Sequence, residues 1–420
     1  MTTTSLKNED NNAEKVILVG VGQDTERSLK ELCELCKTAN LQVMRVYCQK
    51  ITPDSRYYCG KGKAQEIREA VVEIEADAVI TDDELTPSQV SALEDVLEVK
   101  VVDRTAVILD IFASRARSSE GKIQVELAQQ KYLYARLAGS RDNLSRLGGG
   151  IGTKGPGEKK LEVDRRHIRR RIHELERDLK DVKRRRELLR KNRKTNGFRT
   201  VALMGYTNAG KSTLLTALTG SDAYSENILF ATLDPLTRNM PNDDGLNILV
   251  TDTVGFIEKL PHHLIDAFRA TLEESTQADL LLHVIDASSP DYVRQTEVAD
   301  SVLEQLSAYQ KRIYVYNKMD LVQEEPLLRK QPNCFVSAME HTNIDELRNM
   351  IVKMLQQEVQ SVRLCVPYDR GDVINFIHEN GKITSQEYNE KGVEIAGEIE
   401  QSMLYKIKEF MIENAEKSEG

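Results

Sequence analysis

At 420 residues the chain is too long for one ordinary domain and fits two to four. It is 40% hydrophobic and 30% charged, which excludes a disordered chain, and no apolar stretch reaches the ~18 residues that a membrane helix needs. Six cysteines exclude a disulfide scaffold, and a polar, acidic N-terminus lacking an apolar core makes the cytoplasm the expected location.

Residues 1–14 read as a disordered tail. Across 15–117, β-rich runs at 16–21, 43–47, 78–81 and 99–102 alternate with helix-period segments at 26–36, 64–74 and 88–97. That alternation predicts an N-terminal α/β domain with a parallel sheet. Pro87 stands at a helix start, where its missing N–H costs nothing. Cys33 and Cys36 have the zinc-site spacing but no second pair, so they read as a buried helix face. Gly60-Lys-Gly-Lys63 lacks the spacing of a phosphate loop and reads as a strand-to-helix turn.

Residues 118–196 read as a long antiparallel helical hairpin. A helix over 122–137 precedes Leu147-Gly-Gly-Gly-Ile-Gly-Thr-Lys-Gly-Pro-Gly157, a run with six glycines and one proline in eleven residues, which neither helix nor strand tolerates. After it, Leu161, Ile168, Ile172, Leu175, Leu179, Val182 and Leu189 form a heptad seam that Arg186 interrupts. The glycine run is then the tip, flanked by Arg141, Arg146, Lys154, Lys159 and Lys160. Residues 141–200 hold 21 basic and 9 acidic side chains, a net +12 within a chain of net −9, which leaves −21 elsewhere. Such a local excess suits contact with a polyanion, and phosphate backbone is the expected partner; the blander alternative is a solvated helix face.

A second α/β domain is expected over 197–358, with strands at 201–204, 248–251, 280–285, 313–316 and 334–337. Helices begin near Ser212, Ala267, Val293 and Asp345. A small α+β domain is expected over 359–420, with strands at 362–366, 381–388 and 392–396 and a helix at 372–379.

The second α/β domain carries the chemistry. Gly205-Tyr206-Thr207-Asn208-Ala209-Gly210-Lys211-Ser212 follows an apolar strand and opens a helix that continues with Thr213. There backbone N–H groups wrap phosphates, Lys211 reaches the β- and γ-phosphates, and Ser212 ligates Mg²⁺. Asp252-Thr-Val-Gly255 lies at the next strand end, where Asp252 holds Mg²⁺ through water and the Gly255 amide senses the γ-phosphate. Asn317-Lys318-Met-Asp320 selects guanine: the Asp320 carboxylate accepts from N1–H and the exocyclic amine, Asn317 supports the loop, and the Lys318 stem covers the base. Ser337-Ala338 places an amide for guanine O6. In Phe230-Ala-Thr232-Leu-Asp-Pro, Thr232 reads as the switch threonine that closes on Mg²⁺ and the γ-phosphate. Lys211, Thr232 and Gly255 are the expected catalytic residues, with GTP/GDP and Mg²⁺ as cofactors. Asn208 matches the asparagine of potassium-stimulated GTPases, so K⁺ is a further candidate.

This order resembles the translation-factor-related P-loop GTPases. Tyr58-Cys-Gly-Lys-Gly-Lys63, the glycine run 148–158, Leu161-Glu-Val-Asp-Arg-Arg166, Phe230-Ala-Thr-Leu-Asp-Pro and Val366-Pro-Tyr-Asp-Arg-Gly-Asp372 resemble the HflX family from about residue 15 onward. One departure is Lys159-Lys160, where the family usually has Thr-Gln. The resemblance implies a GTPase that binds the large ribosomal subunit and separates stalled ribosomes. It also implies that the N-terminal domain and hairpin reach toward the peptidyl-transferase region.

Phe256 stands where many such GTPases place a water-orienting Gln, so slow intrinsic hydrolysis, accelerated by a partner, is expected. His262 and His263 lie just beyond and are lesser candidates for positioning water. The expected partner is the rRNA of the large subunit, reached through the basic segment 141–199 and the tip 148–157 by a monomer. Two alternatives are a GTP-dependent assembly factor for that subunit and a regulatory switch whose hairpin binds protein.

Overall fold

The computed structural model describes residues 13–139, 156–220, 229–230, 234–242, 246–259, 276–308, 310–327, 329–356, 359–400, 404 and 407–412. Residues 148–155 of the glycine-rich tip, Thr232, His262, His263 and the helix expected near Ala267 lie outside these residues, whereas Pro156 and Gly157, expected in the loop, open the second hairpin helix, where a proline in the first turn costs no hydrogen bond.

The first sheet comprises β1 (Lys15–Val21), β2 (Gln42–Gln49), β3 (Ala78–Thr81) and β4 (Lys100–Asp103) in the order β2-β1-β3-β4, all parallel. The central β1 is buried on both faces, so its apolar run is nearly continuous. Val16 and Leu18 pack with α1 (Thr25–Thr38), whereas Ile17 and Val19 pack with α2 (Lys61–Ile74) and α3 (Pro87–Leu97). Thr86 caps α3 reciprocally with Gln89, one step before Pro87. Cys36 of α1 is fully buried, and burial pushes its thiol up to about 12.

Two further elements were not foreseen. Helix α4 (Arg104–Arg115) follows β4 at once; Asp103 caps it by accepting from the Ala106 N–H at 3.1 Å. Its apolar face joins the core that also holds Phe230, Val254 and Ile257. Strand β6 (Leu236–Met240) is half-exposed and mostly polar, which hid it from pattern reading.

Helices α5 (Ser119–Gly139) and α6 (Pro156–Thr195) pack as the antiparallel hairpin. The 40 residues of α6 span roughly 60 Å at 1.5 Å per residue. The expected seam needs correction at its C-terminal end: Leu175 is 1% exposed, but Leu189 is 59% exposed. Arg186, at a seam position, pairs with Glu120 of α5.

The second sheet runs β10-β9-β8-β5-β7-β6, built from β5 (Phe198–Gly205), β6, β7 (Asn247–Asp252), β8 (Leu280–Asp286), β9 (Arg312–Asn317) and β10 (Asn333–Phe335). All pairs are parallel except edge strand β6 on β7. Helices α7 (Lys211–Thr219), α8 (Tyr292–Gln305) and α9 (Ile344–Gln356) flank it. The last unit is an antiparallel sheet β11-β13-β12 of β11 (Val359–Val366), β12 (Gly381–Asn389) and β13 (Gly392–Glu400), packed on α10 (Gly371–Asn380). No described helix is long and apolar enough to cross a membrane.

Candidate active site

The loop between β5 and α7 is shaped by close approach. Gly210 has φ +87°, and a Cβ there would lie 2.3 Å from Asn317 Nδ2. Gly210 is also the N-cap of α7 and supplies no side-chain bond, so the first-turn N–H groups remain available to an anion. Lys211 opens α7 and is 7% exposed. Its Nζ donates to the carbonyls of Tyr206 at 2.8 Å and Gly205 at 3.2 Å. Burial lowers its pKa to about 8, although nearby Asp252 acts the other way.

Ser212 Oγ donates to Asp252 Oδ2 at 2.6 Å, joining α7 to the end of β7. Hydroxyl and carboxylate oxygens are the hard donors that Mg²⁺ takes, so this pair fits the ion. Thr213 follows, half-buried. Gly255 lies against the loop: a Cβ would stand 2.7 Å from Lys211 Nζ and 2.8 Å from Thr207 Cα. Next to it, the Thr207 N–H donates to Phe256 O at 2.7 Å and the Phe256 N–H to Gly205 O at 3.1 Å. The Phe256 ring is 1% exposed and packs with Ala202 and Met204, so it serves the core.

Asn317, 2% exposed at the end of β9, ties two loops together. Its Nδ2 donates to Ala209 O at 2.9 Å, and its Oδ1 accepts from the Ala338 N–H at 3.0 Å. The Ala338 amide, expected to face a base, is thus engaged by Asn317 here. Ser337 Oγ donates to Asp320 Oδ1 at 2.6 Å and orients that exposed carboxylate. Lys318 has φ +64°, and its Nζ pairs with Asp286 Oδ2 at 2.7 Å. Phe230 is 3% exposed in the first unit's core.

Sequence reading missed the wall opposite the loop. Tyr206 Oη donates to Glu31 Oε1 of α1 at 2.5 Å and accepts from the Glu258 N–H at 2.9 Å. A cleft of about 500 Å³ opens there, lined by Arg27, Lys30, Tyr206, Thr207 and Asn208 among others. Thr207 Oγ1 is buried without a hydrogen-bond partner. No local spacing signals these α1 residues, because they approach only once the two sheets have packed together.

Three family models match the chain: "GTP-binding GTPase N-terminal" over residues 26–113, "GTP-binding GTPase Middle Region" over 115–193 and "50S ribosome-binding GTPase" over 200–318. A protein named GTPase HflX from Caldanaerobacter subterraneus subsp. tengcongensis is 48% identical over 95% of this chain and 94% of its own length. Proteins of the same name from Lacrimispora saccharolytica and Escherichia coli are 47% and 39% identical, each over 90% of this chain and 92% of their own. A solved structure described as SsGBP and GDP complex is similar at TM-score 0.47 and 24% identity, covering 82% of this chain and 99% of that one.

Proposed function

The chain belongs to the HflX family of GTPases, and from that premise we propose that it binds the large ribosomal subunit and splits stalled ribosomes in the cytoplasm. It binds GTP and GDP and hydrolyses GTP. In this reading GTP binding gates engagement and hydrolysis gates release.

Lys211 leaves its two carbonyls to meet the β- and γ-phosphates, and the α7 N-terminus accepts the rest of their charge. Ser212, Asp252 and Thr232 would hold Mg²⁺, which neutralises phosphate charge when bound. Asn208, which lines the cleft beside Tyr206 and Thr207, would hold K⁺. Asp320, oriented by Ser337, accepts from guanine; Asn317 keeps the phosphate and base loops in register, and the Lys318 stem covers the base. With Phe256 committed to the core, no side chain at that position orients water. Intrinsic turnover is therefore slow, and a bound partner accelerates it by about 10³–10⁵-fold.

The observation that carries the ribosome reading is how α6 divides its charges. Cations facing α5 are spent internally: Arg171 on Glu126 at 2.6 Å and Arg186 on Glu120. Further out, exposed Arg166, Arg170, His173 and Arg177 line a groove of about 470 Å³ together with Glu174 and with Arg169, which also bonds Tyr134 of α5. A cationic stripe at helical spacing suits a phosphate backbone. Replacing Arg166, Arg170 and Arg177 with Ala together is expected to weaken co-sedimentation with large subunits. It should also flatten the dependence of log K on log salt by roughly 0.9 per lost contact. Unchanged binding in the triple variant sinks the interface. Light scattering of intact ribosomes with GTP or a nonhydrolysable analogue then separates splitting from mere association, the result an assembly factor gives.

A further inference from the structure

Tyr206 is part of the phosphate loop, and it is held at both ends. Its backbone carbonyl accepts from Lys211 Nζ at 2.8 Å. Its ring is buried beside Phe256 in the core of the GTPase unit. The hydroxyl then crosses to the first unit, donating to Glu31 Oε1 of α1 at 2.5 Å while it accepts from the Glu258 N–H at 2.9 Å.

Glu31 is itself fixed. Its Oε2 accepts from Arg104, a buried guanidinium that also bonds Asp82 Oδ1 at 2.9 Å and the Ser28 carbonyl at 3.3 Å. One carboxylate oxygen thus serves each unit, and Arg104, Glu31, Tyr206 and Lys211 form a continuous row. A hydroxyl bonded to a carboxylate away from water is among the stronger hydrogen bonds. The same hydroxyl ties down a second piece of the site. Glu258 lies three residues past Gly255, and the intervening Phe256 bonds both Gly205 and Thr207 through its backbone. The phosphate loop, the segment after Gly255 and α1 therefore meet at one oxygen.

We propose that Glu31 is a positioning residue for nucleotide binding: by holding the Tyr206 hydroxyl it keeps the Tyr206 carbonyl, and Lys211 with it, where phosphate is met. The first unit thereby contributes to nucleotide affinity from 175 positions away. A loop held in its binding geometry loses less freedom when the ligand arrives, and the gain appears as slower release. The inference rests on the reading of 205–212 as the phosphate site.

The test is release of fluorescent GDP from the full chain, followed by stopped flow without ribosomes. Glu31→Ala and Tyr206→Phe are each expected to speed release by at least about fivefold. The double variant is expected to stay within about twofold of the faster single variant, because both changes remove the same bond. Glu31→Gln keeps an acceptor for the hydroxyl, and is expected to release GDP at least about threefold more slowly than Glu31→Ala. Glu31→Ala leaves Arg104 its bond to Asp82, and Tyr206→Phe, which keeps the ring, carries the test if the first variant fails to fold. Parental release in both single variants, effects that multiply in the double variant, or Gln as fast as Ala overturns the positioning role. Lys211→Met separates the causes. If it holds GDP as tightly as the parent, the phosphate-site reading fails and the inference with it. Weakened binding there, with parental release in Glu31→Ala and Tyr206→Phe, sinks the positioning role alone.

Discussion

Lys211 sits in a conflict that an anion would resolve. Its ammonium is buried between two carbonyls, and burial brings it from 10.5 to about 8. The unfolded chain keeps that proton up to 10.5, so between about 8 and 10.5 the unfolded state binds more protons and stability rises with pH. Below about 8 the penalty is present in full, worth about 3 kcal/mol for a shift of this size. Lys211→Met keeps the stem and removes the charge. The nucleotide-free variant is expected to melt roughly 2–4 °C higher than its parent at neutral pH. The gap should close toward pH 10.5, and GTP affinity should fall by at least about a hundredfold. A lower melting point for the apo variant at neutral pH refutes this account. The position of Lys211 was legible in the sequence because a phosphate loop is a local device of fixed spacing. The hold of Glu31 on Tyr206 was not, because 175 positions separate them.

The hairpin shows how far periodicity reaches at the scale of an element. The heptad pattern identified the inner face of α6 but not the extent of its cover. Helix α5 has 21 residues against 40 in α6, and it begins at Ser119. Glu120, one residue in, already pairs with Arg186, so Leu189 lies past the end of its partner and faces solvent. Leu175→Ala is expected to cost about 2–4 kcal/mol, while Leu189→Ala stays within about 0.5 kcal/mol. Denaturant titration followed by helical circular dichroism measures both, and comparable losses at the two positions contradict the packing described. Arg186 looked like a break in the seam. It is instead a cation whose acidic partner belongs to the other helix, which its own heptad could not reveal.

At the scale of the whole molecule, a buried ionic network joins the first sheet to the GTPase unit. Arg104 is 2% exposed and pairs with Asp82 at 2.9 Å and with Glu31. Asp82, fully buried, also takes Lys259 at 2.5 Å, and Lys259 reaches Asp83 at 2.6 Å. Arg27 pairs with Glu258 and, at 3.0 Å, with Asp291. Arg104→Met takes a cation from Asp82 and Glu31 while Asp82 keeps Lys259 and Ser28, so it is expected to destabilise the protein by about 1–3 kcal/mol. Urea denaturation of the apo chain checks it; a loss under about 1 kcal/mol shows that Lys259 alone compensates Asp82.

Local rules settled the alternation of strands and helices, the phosphate loop and the basic rod, each within a few dozen residues. Those features follow from repeat periods, backbone freedom at glycine and charge density, all of which are written into neighbouring residues. The Tyr206–Glu31 bond, the Arg104 network and the grip of Asp234 on Ser118 were decided by packing. Each joins groups brought together only when two sheets and a hairpin bury their apolar faces against one another. Chain proximity carries no record of which polar groups will be left facing across that contact.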